Sequence, residues 1–264
     1  PHEWGDVKWF LCGTRGVMLA GKPKVIASTI KEQVYRILKD EICSGGLKSG
    51  QWLQEVELAE RLKVSRSPIR EALRLLSGDG LVVDIPNKGV FVREFTEHDI
   101  EEIYDMRVMM ESYALLNSHV NLDSAREGLL REYLEALVTL HDEDNLNEYM
   151  DVDSKLHALF IALSGNSLLE ESYRKISSMV QQFRIYSLLG HQRFDESVDE
   201  HCSVVTSILD GATQKAVDTN HKHLMLARDK VLEHLRGGGG ERPSSATGDV
   251  AAPRRQKGRG AKKG

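Results

Sequence analysis

Glu55-Val56-Glu57-Leu58-Ala59-Glu60-Arg61-Leu62-Lys63-Val64-Ser65-Arg66-Ser67-Pro68-Ile69-Arg70-Glu71-Ala72-Leu73-Arg74-Leu75-Leu76 decides the fold, and Gly78-Asp79-Gly80-Leu81-Val82-Val83 completes it. The run reads as two short helices, a tight turn and a strand. Leu58, Ala59 and Leu62 have helical spacing on the first helix; Ile69, Leu73 and Leu76 have it on the second. Ser65 predicts an N-cap, and Pro68 falls in the first turn, where proline is tolerated. The second helix therefore opens with Ser65, Arg66, Ser67 and Arg70 at its exposed end. In a helix-turn-helix those positions reach base edges in the major groove. Arg66 and Arg70 lie one turn apart and can point at one target. Arg pairs with two guanine acceptors, while Ser and helix-end N–H groups hold phosphates.

Past Gly80, Leu81-Val82-Val83-Asp84 and Val90-Phe91-Val92-Arg93 flank Ile85-Pro86-Asn87-Lys88-Gly89. Two β-rich runs around an Asn/Lys/Gly turn predict a hairpin. Beside a helix-turn-helix that hairpin is a wing. Lys88 and Gly89 at its tip suit close approach to a phosphate or the minor groove.

Residues 28–95 resemble the winged-helix reader of the GntR family of transcription regulators. Val64-Ser65-Arg66-Ser67-Pro68-Ile69-Arg70-Glu71-Ala72-Leu73 is similar to that family's most recognisable run. An Arg pair on a helix is in itself an ordinary solvated feature. The combination of turn, cap, proline, paired Arg and wing is what makes the signal specific.

A chain of 264 residues with 41% apolar content has room for two cored domains plus tails. No apolar run is long enough to span a bilayer. Residues 9–20 are mildly apolar, but Arg15 interrupts them and no clear signal peptide results. Three scattered cysteines, Cys12, Cys43 and Cys202, suit a reducing cytoplasm. The net charge of −5 is unevenly spread: residues 27–95 carry 11 Lys/Arg against 10 Asp/Glu, and residues 96–236 carry 13 against 26. The reader is hardly basic. Its phosphate affinity must come from where Arg66, Arg70, Arg74 and Lys88 lie, and from dimerisation, rather than from bulk charge.

Residues 1–26 lack periodicity and are expected to be a disordered extension. Ser28 is expected to cap a helix to about Cys43, with Ile30, Val34, Ile37 and Leu38 on its apolar face. The reader is assigned to 27–95. Thr96 caps the next segment, with Glu97 and Asp99 in its first turn. From there to Leu235 the pattern is helical without a proline. Breaks near Asn121, Asp142–Asn145, Ser164-Gly165-Asn166, Gly190 and Asp210-Gly211 predict about six helices in a bundle over 96–236. The fold class is thus mainly α, a winged helix-turn-helix followed by a helical bundle. The bundle resembles the ligand-sensing FCD domain of the family's FadR branch, and six helices would place it near the VanR-like variant. Residues 237–264 begin with four glycines and continue with Pro, Ser, Ala, Arg and Lys, which predicts a disordered basic tail.

Asp153 and His157 stand at i and i+4, on one face of a helix. His201 is read as beginning another helix, and His223 lies on the next, across Asp210-Gly211. Ten residues separate His201 from Gly211 and twelve separate Gly211 from His223, arms of about 15 and 18 Å. If the chain doubles back at Gly211, both His return to nearly one level. One carboxylate and three imidazoles suit Zn²⁺, Ni²⁺, Mn²⁺ or Fe²⁺. The chain has ten His, and most are expected on the surface. His221 lies roughly 200° around the helix from His223 and is the decoy. In the metal-binding members of the FadR branch, an Asp and a His four apart and two later His form the site, and the matching positions here are Asp153, His157, His201 and His223.

Arg107, one turn before Glu111, is read either as a fork for a carboxylate in the bundle interior or as one half of an i,i+4 ion pair. The matching Arg in the family often lines the effector pocket, and the family's effectors are commonly small organic acids. The resemblance implies a cytoplasmic regulator that binds double-stranded operator DNA as a homodimer and responds to a small carboxylate held near a divalent metal. A metal-dependent enzyme using the Asp/His site, or a regulator responding to metal alone, are the competing readings.

Overall fold

The first helix starts where a cap permits. Thr29, not Ser28, accepts the N–H of Glu32 while the Glu32 carboxylate accepts that of Thr29, closing a capping box on Ile30–Ser44 (α1). Its buried stripe is Val34, Leu38 and Ile42, whereas Ile30 and Ile37 are exposed. The expected apolar face was therefore rotated. The i, i+4, i+8 row faces the core, and the two isoleucines lie off it.

The computed structural model describes residues 28–237. The N-terminal extension and the basic tail beyond Gly237 lie outside them. After α1 come Trp52–Leu53 (β1), Glu55–Leu62 (α2), Arg66–Gly78 (α3), Val82–Ile85 (β2) and Gly89–Val92 (β3). Strand order is β1-β3-β2, antiparallel throughout, with Val82 opposite Val92 and Trp52 opposite Phe91. Leu38, Ile69, Leu76 and Leu81 are fully buried in the core of this winged helix.

Ser65 has the extended φ/ψ of an N-cap, but its side chain makes no capping hydrogen bond. Pro68 occupies N3, so the N–H that a Ser cap ordinarily receives is missing. Gly89, at φ +107°, has a structural reason for being glycine: a Cβ there would lie 2.6 Å from Trp52 Nε1.

The bundle comprises Glu97–Leu116 (α4), Ser124–Asp142 (α5), Leu146–Ala162 (α6), Ser167–Gln181 (α7), Arg184–Ser187 (α8), His191–Leu209 (α9) and Thr213–Arg236 (α10). Six are long, as expected. The single turn α8 is additional: it follows a break at Gln182-Phe183 that neither Gly nor Pro marks. Thr96 and Asp99 form the cap of α4 as a capping box. Two apolar clusters fill the bundle. One is built on α5, α6 and α9 around Leu137, Tyr149, Phe160 and Val205. The other is built on α4, α7 and α10 around Tyr104, Tyr173, Val180 and Leu224.

The two units touch at the end of α7. Lys39 Nζ donates to Ser178 Oγ (2.8 Å), and Gln182 Nε2 donates to the Leu81 carbonyl (3.1 Å). Arg93 Nη1 lies 3.7 Å from Met179 Sδ. Gly80, at φ +75°, fits because a Cβ would come within 2.8 Å of that sulfur. Gly80→Ala forces a side chain into a left-handed position and displaces Met179. Urea unfolding of the full chain should register a loss of about 1–2 kcal/mol, and an unchanged midpoint would contradict this account of the junction.

Candidate functional site

Two sites emerge, one on the surface of the winged helix and one inside the bundle. On the surface, Ser65, Arg66, Ser67, Arg70 and Arg74 are exposed along the first turns of α3, and Lys88 is exposed at the wing tip. Arg66 Nη2 lies 3.1 Å from Glu55 Oε2, and Arg70 grips the same carboxylate through Nε and Nη2 at 2.9 Å each. The hydrogen bonds from Arg70, set against a modest burial effect and aided by Arg66, bring the Glu55 carboxyl down to about 2. Glu55 thus aligns both guanidinium groups on one side of the helix while leaving them in water.

Inside the bundle, Asp153 and His157 of α6, His201 of α9 and His223 of α10 converge, with ligand atoms within 4.8 Å of one another and all four residues buried. His201 sits in the middle of α9 rather than at its start, because that helix begins at His191. Asp153 Oδ1 is 2.9 Å from His201 Nε2 and 3.5 Å from His157 Nε2. The two Nε2 atoms of His157 and His201 are 3.4 Å apart. His221 is exposed on the opposite side of α10, as are His98 and His119 on other elements. His141 and His234 are half-buried, against Asp195 and Tyr186 respectively.

The orientation of the imidazoles follows from their outer nitrogens. His157 Nδ1 meets Glu111 Oε2 at 2.8 Å, and His223 Nδ1 meets Glu200 Oε2 at 2.8 Å. An ionised carboxylate only accepts, so both Nδ1 atoms carry the proton and both Nε2 atoms present lone pairs inward. His201 Nδ1 lies 3.2 Å from the Tyr149 hydroxyl, which also reaches Ser197 Oγ at 3.1 Å. Burial, and next the proximity of His157, push His201 well below the ordinary histidine value; burial, and next His201, do the same for His223. Neutral imidazoles beside a carboxylate, each with an outer oxygen partner, are a donor set that fits a divalent cation, whose binding would release the proton His201 Nε2 shares with Asp153.

Glu111 organises this arrangement, although the sequence reading gave it only the role of partner to Arg107. It has no exposure to solvent and accepts from Arg107 Nε (3.0 Å), Tyr173 Oη (2.7 Å), His157 Nδ1 (2.8 Å) and Asn220 Nδ2 (2.9 Å). Burial alone would raise its carboxyl, but the charge of Arg107, and next the neighbouring His157, hold it well below the usual range. Arg107 is buried and faces the interior: it makes the i,i+4 ion pair with Glu111, and its Nη2, beside the cavity, has no hydrogen-bond partner.

Two further arginines line the same cavity and were missed. Arg184, on α8, pairs with Asp153 Oδ2 through Nη1. Arg193, on α9, places Nη2 2.9 Å from Glu200 Oε2. Both are 4% exposed. Burial, and next the like charge of Arg107, bring Arg184 down to about 9, so it remains cationic at neutral pH. Spacing held a clue to Arg193: with Ser197 and His201 it repeats every four residues on one face of α9. Arg184 is hidden by the unmarked break before it. The cavity volume is about 10 Å³, room for an ion or a water molecule. Arg184 also stands two residues from Gln182, the side chain that holds Leu81 of the winged helix.

Residues 30–92 match the family described as bacterial regulatory proteins, gntR family, and residues 102–225 match the FCD domain. This chain belongs to the GntR family of transcription regulators. YdhC of Bacillus subtilis strain 168, an uncharacterized HTH-type transcriptional regulator, is 29% identical over 205 residues, which is 77% of this chain and 90% of that one. The gluconate operon transcriptional repressor of the same organism is 27% identical over 214 residues, 78% of this chain and 86% of its own. Among solved structures, E. coli McbR/YncC superposes with a TM-score of 0.69 at 20% identity, covering 79% of this chain and 99% of that one, a likeness of fold. This GntR/FCD chain is therefore a DNA-binding transcription regulator, and among its described residues no helix is long and apolar enough to cross a membrane.

Because Glu111 both neutralises Arg107 and fixes His157, Glu111→Gln should act twice. Leaving Arg107 buried without its counter-charge should destabilise the metal-free protein by about 3–5 kcal/mol in urea unfolding at pH 7. Loosening the outer support of His157 should weaken Zn²⁺ binding about 10- to 100-fold in a calorimetric titration. Parent-like Zn²⁺ affinity in a folded variant would remove Glu111 from the site.

Proposed function

We propose that this regulator reads operator DNA as a homodimer and that a small organic acid, bound near a divalent metal in the bundle, sets its DNA affinity. The observation that carries the reading is the juxtaposition of the buried Asp153, His157, His201 and His223 cluster with a small cavity lined by three of those four and by Arg107, Arg184 and Arg193. In this reading Asp153, His157, His201 and His223 hold the metal. Zn²⁺, Ni²⁺, Mn²⁺ and Fe²⁺ all accept such a set. The metal supplies an electrophilic point for an effector oxygen; Arg107 supplies a cation and an N–H donor. The site binds rather than turns over.

Arg66 and Arg70 contact base edges, Ser65 and Ser67 with Arg74 and Lys88 contact phosphates, and Gly89 shapes the wing that carries Lys88. DNA displaces the two guanidinium groups from Glu55, an exchange between exposed partners that is energetically small. Support for the dimer comes from α4. Its inner face is buried, yet Met106, Met109, Tyr113 and Leu116 form an exposed apolar stripe on the outer face, of the kind that marks an interaction surface. A second copy of the same helix would cover it.

Three measurements test this function. Arg66→Ala and Arg70→Ala should each lose specific operator binding in a mobility-shift assay while retaining fold and assembly; parent-like retardation by both would refute the DNA face. His201→Ala and His223→Ala should each lose metal in elemental analysis while His221→Ala keeps it, and the reverse pattern would end the metal assignment. Met109→Glu should yield monomers in light scattering, and an unchanged mass would place the dimer contact elsewhere.

A further inference from the structure

We infer that the effector carries at least two anionic groups, with Arg184 and Arg193 as the residues that demand the second. This rests on the organic-acid reading above and specifies the chemical class of that acid.

Among the described residues, the buried nitrogens without a hydrogen-bond partner include Arg107 Nη2, Arg184 Nε and Nη2, and Arg193 Nε and Nη1, and all three arginines line one cavity. Buried donors are ordinarily satisfied, and a guanidinium most of all. One carboxylate has two oxygens and satisfies one fork. Five open nitrogens on three side chains exceed what a single carboxylate can meet.

Charge gives the same count independently. Each arginine has one close carboxylate partner, Arg107 with Glu111, Arg184 with Asp153 and Arg193 with Glu200, while the partly exposed Glu196 lies farther from Arg193, at 3.9 Å. These six groups sum to zero. A divalent ion among neutral imidazoles then adds two positive charges among buried side chains. It also draws on Asp153, the carboxylate on which Arg184 depends. A monoanion leaves one charge uncompensated, whereas a dianion balances the site. At low dielectric an uncompensated charge is costly.

Size adds a condition. A cavity of about 10 Å³ does not admit an organic acid in this conformation. Arg184 lies on a four-residue helix beside the cavity, so its exchange of Asp153 for an effector carboxylate is the movement that makes room. The second anionic group takes the place of Asp153 as its partner.

The test uses the Zn²⁺-loaded full chain and three weakly chelating probes: acetate, succinate and tricarballylate. Affinity is read by calorimetry, and retained Zn²⁺ is checked by elemental analysis. Succinate or tricarballylate should bind about 10- to 100-fold more tightly than acetate, the range expected for one added charge-assisted pair. Arg184→Gln and Arg193→Gln should each reduce that preference while keeping Zn²⁺, and Arg193→Lys, which restores charge without the fork, should recover part of it. Equal affinity for acetate and the polyanions overturns this inference and leaves the organic-acid reading standing. Unchanged preference in both Gln variants overturns the assignment to these two arginines. Binding of none of the three probes sinks the inference together with the organic-acid reading.

Discussion

A carboxylate with no access to water holds the polar centre of the bundle in register. Glu111 accepts from Arg107 on its own helix, His157 on α6, Tyr173 on α7 and Asn220 on α10. An ionised group in that position carries a desolvation penalty of several kcal/mol. Four donors, one of them a guanidinium, offset it. The donors come from four helices, so the same interaction fixes how each helix is rotated. Turn α6 away and His157 loses its acceptor; turn α10 away and Asn220 does. The inward lone pair of His157 is a consequence of this carboxylate, and the four-residue cluster exists because the helices cannot rotate past it.

The chain uses arginine in two opposed ways. On α3, Arg66 and Arg70 are 59% and 53% exposed and share Glu55. In water such a pairing is weak, which suits residues that must let go of one anion for another. In the bundle, Arg107, Arg184 and Arg193 are buried, and each ion pair lies in a medium where charge imbalance is felt strongly. The first set is held loosely and stays in water; the second is held where each charge must be matched nearby.

What the sequence disclosed is what local rules govern. The helix-turn-helix and wing were legible because caps, turns and alternating runs are short-range. His223 could be told from His221 because two positions on a helix face opposite ways. Errors occurred where neighbours in space decide. The cap at Thr29 won over Ser28 because Glu32 completes a reciprocal box. Ile30 and Ile37 stayed exposed because α1 meets the core along Val34, Leu38 and Ile42. The break at Gln182-Phe183 carries no Gly or Pro, and Arg184 and its pairing with Asp153 were invisible with it. Glu111 looked like half of an i,i+4 ion pair until three other helices supplied its remaining donors.

The short helix α8 opens on Arg184, whose side chain grips Asp153, two residues after Gln182, whose side chain grips the Leu81 carbonyl. Free-energy coupling between two bound partners is reciprocal. The contact that ties the bundle to the winged helix and the partner of Asp153 thus sit two residues apart on one stretch of backbone, so a displacement of either is transmitted through a single unmarked bend rather than through a packed interface.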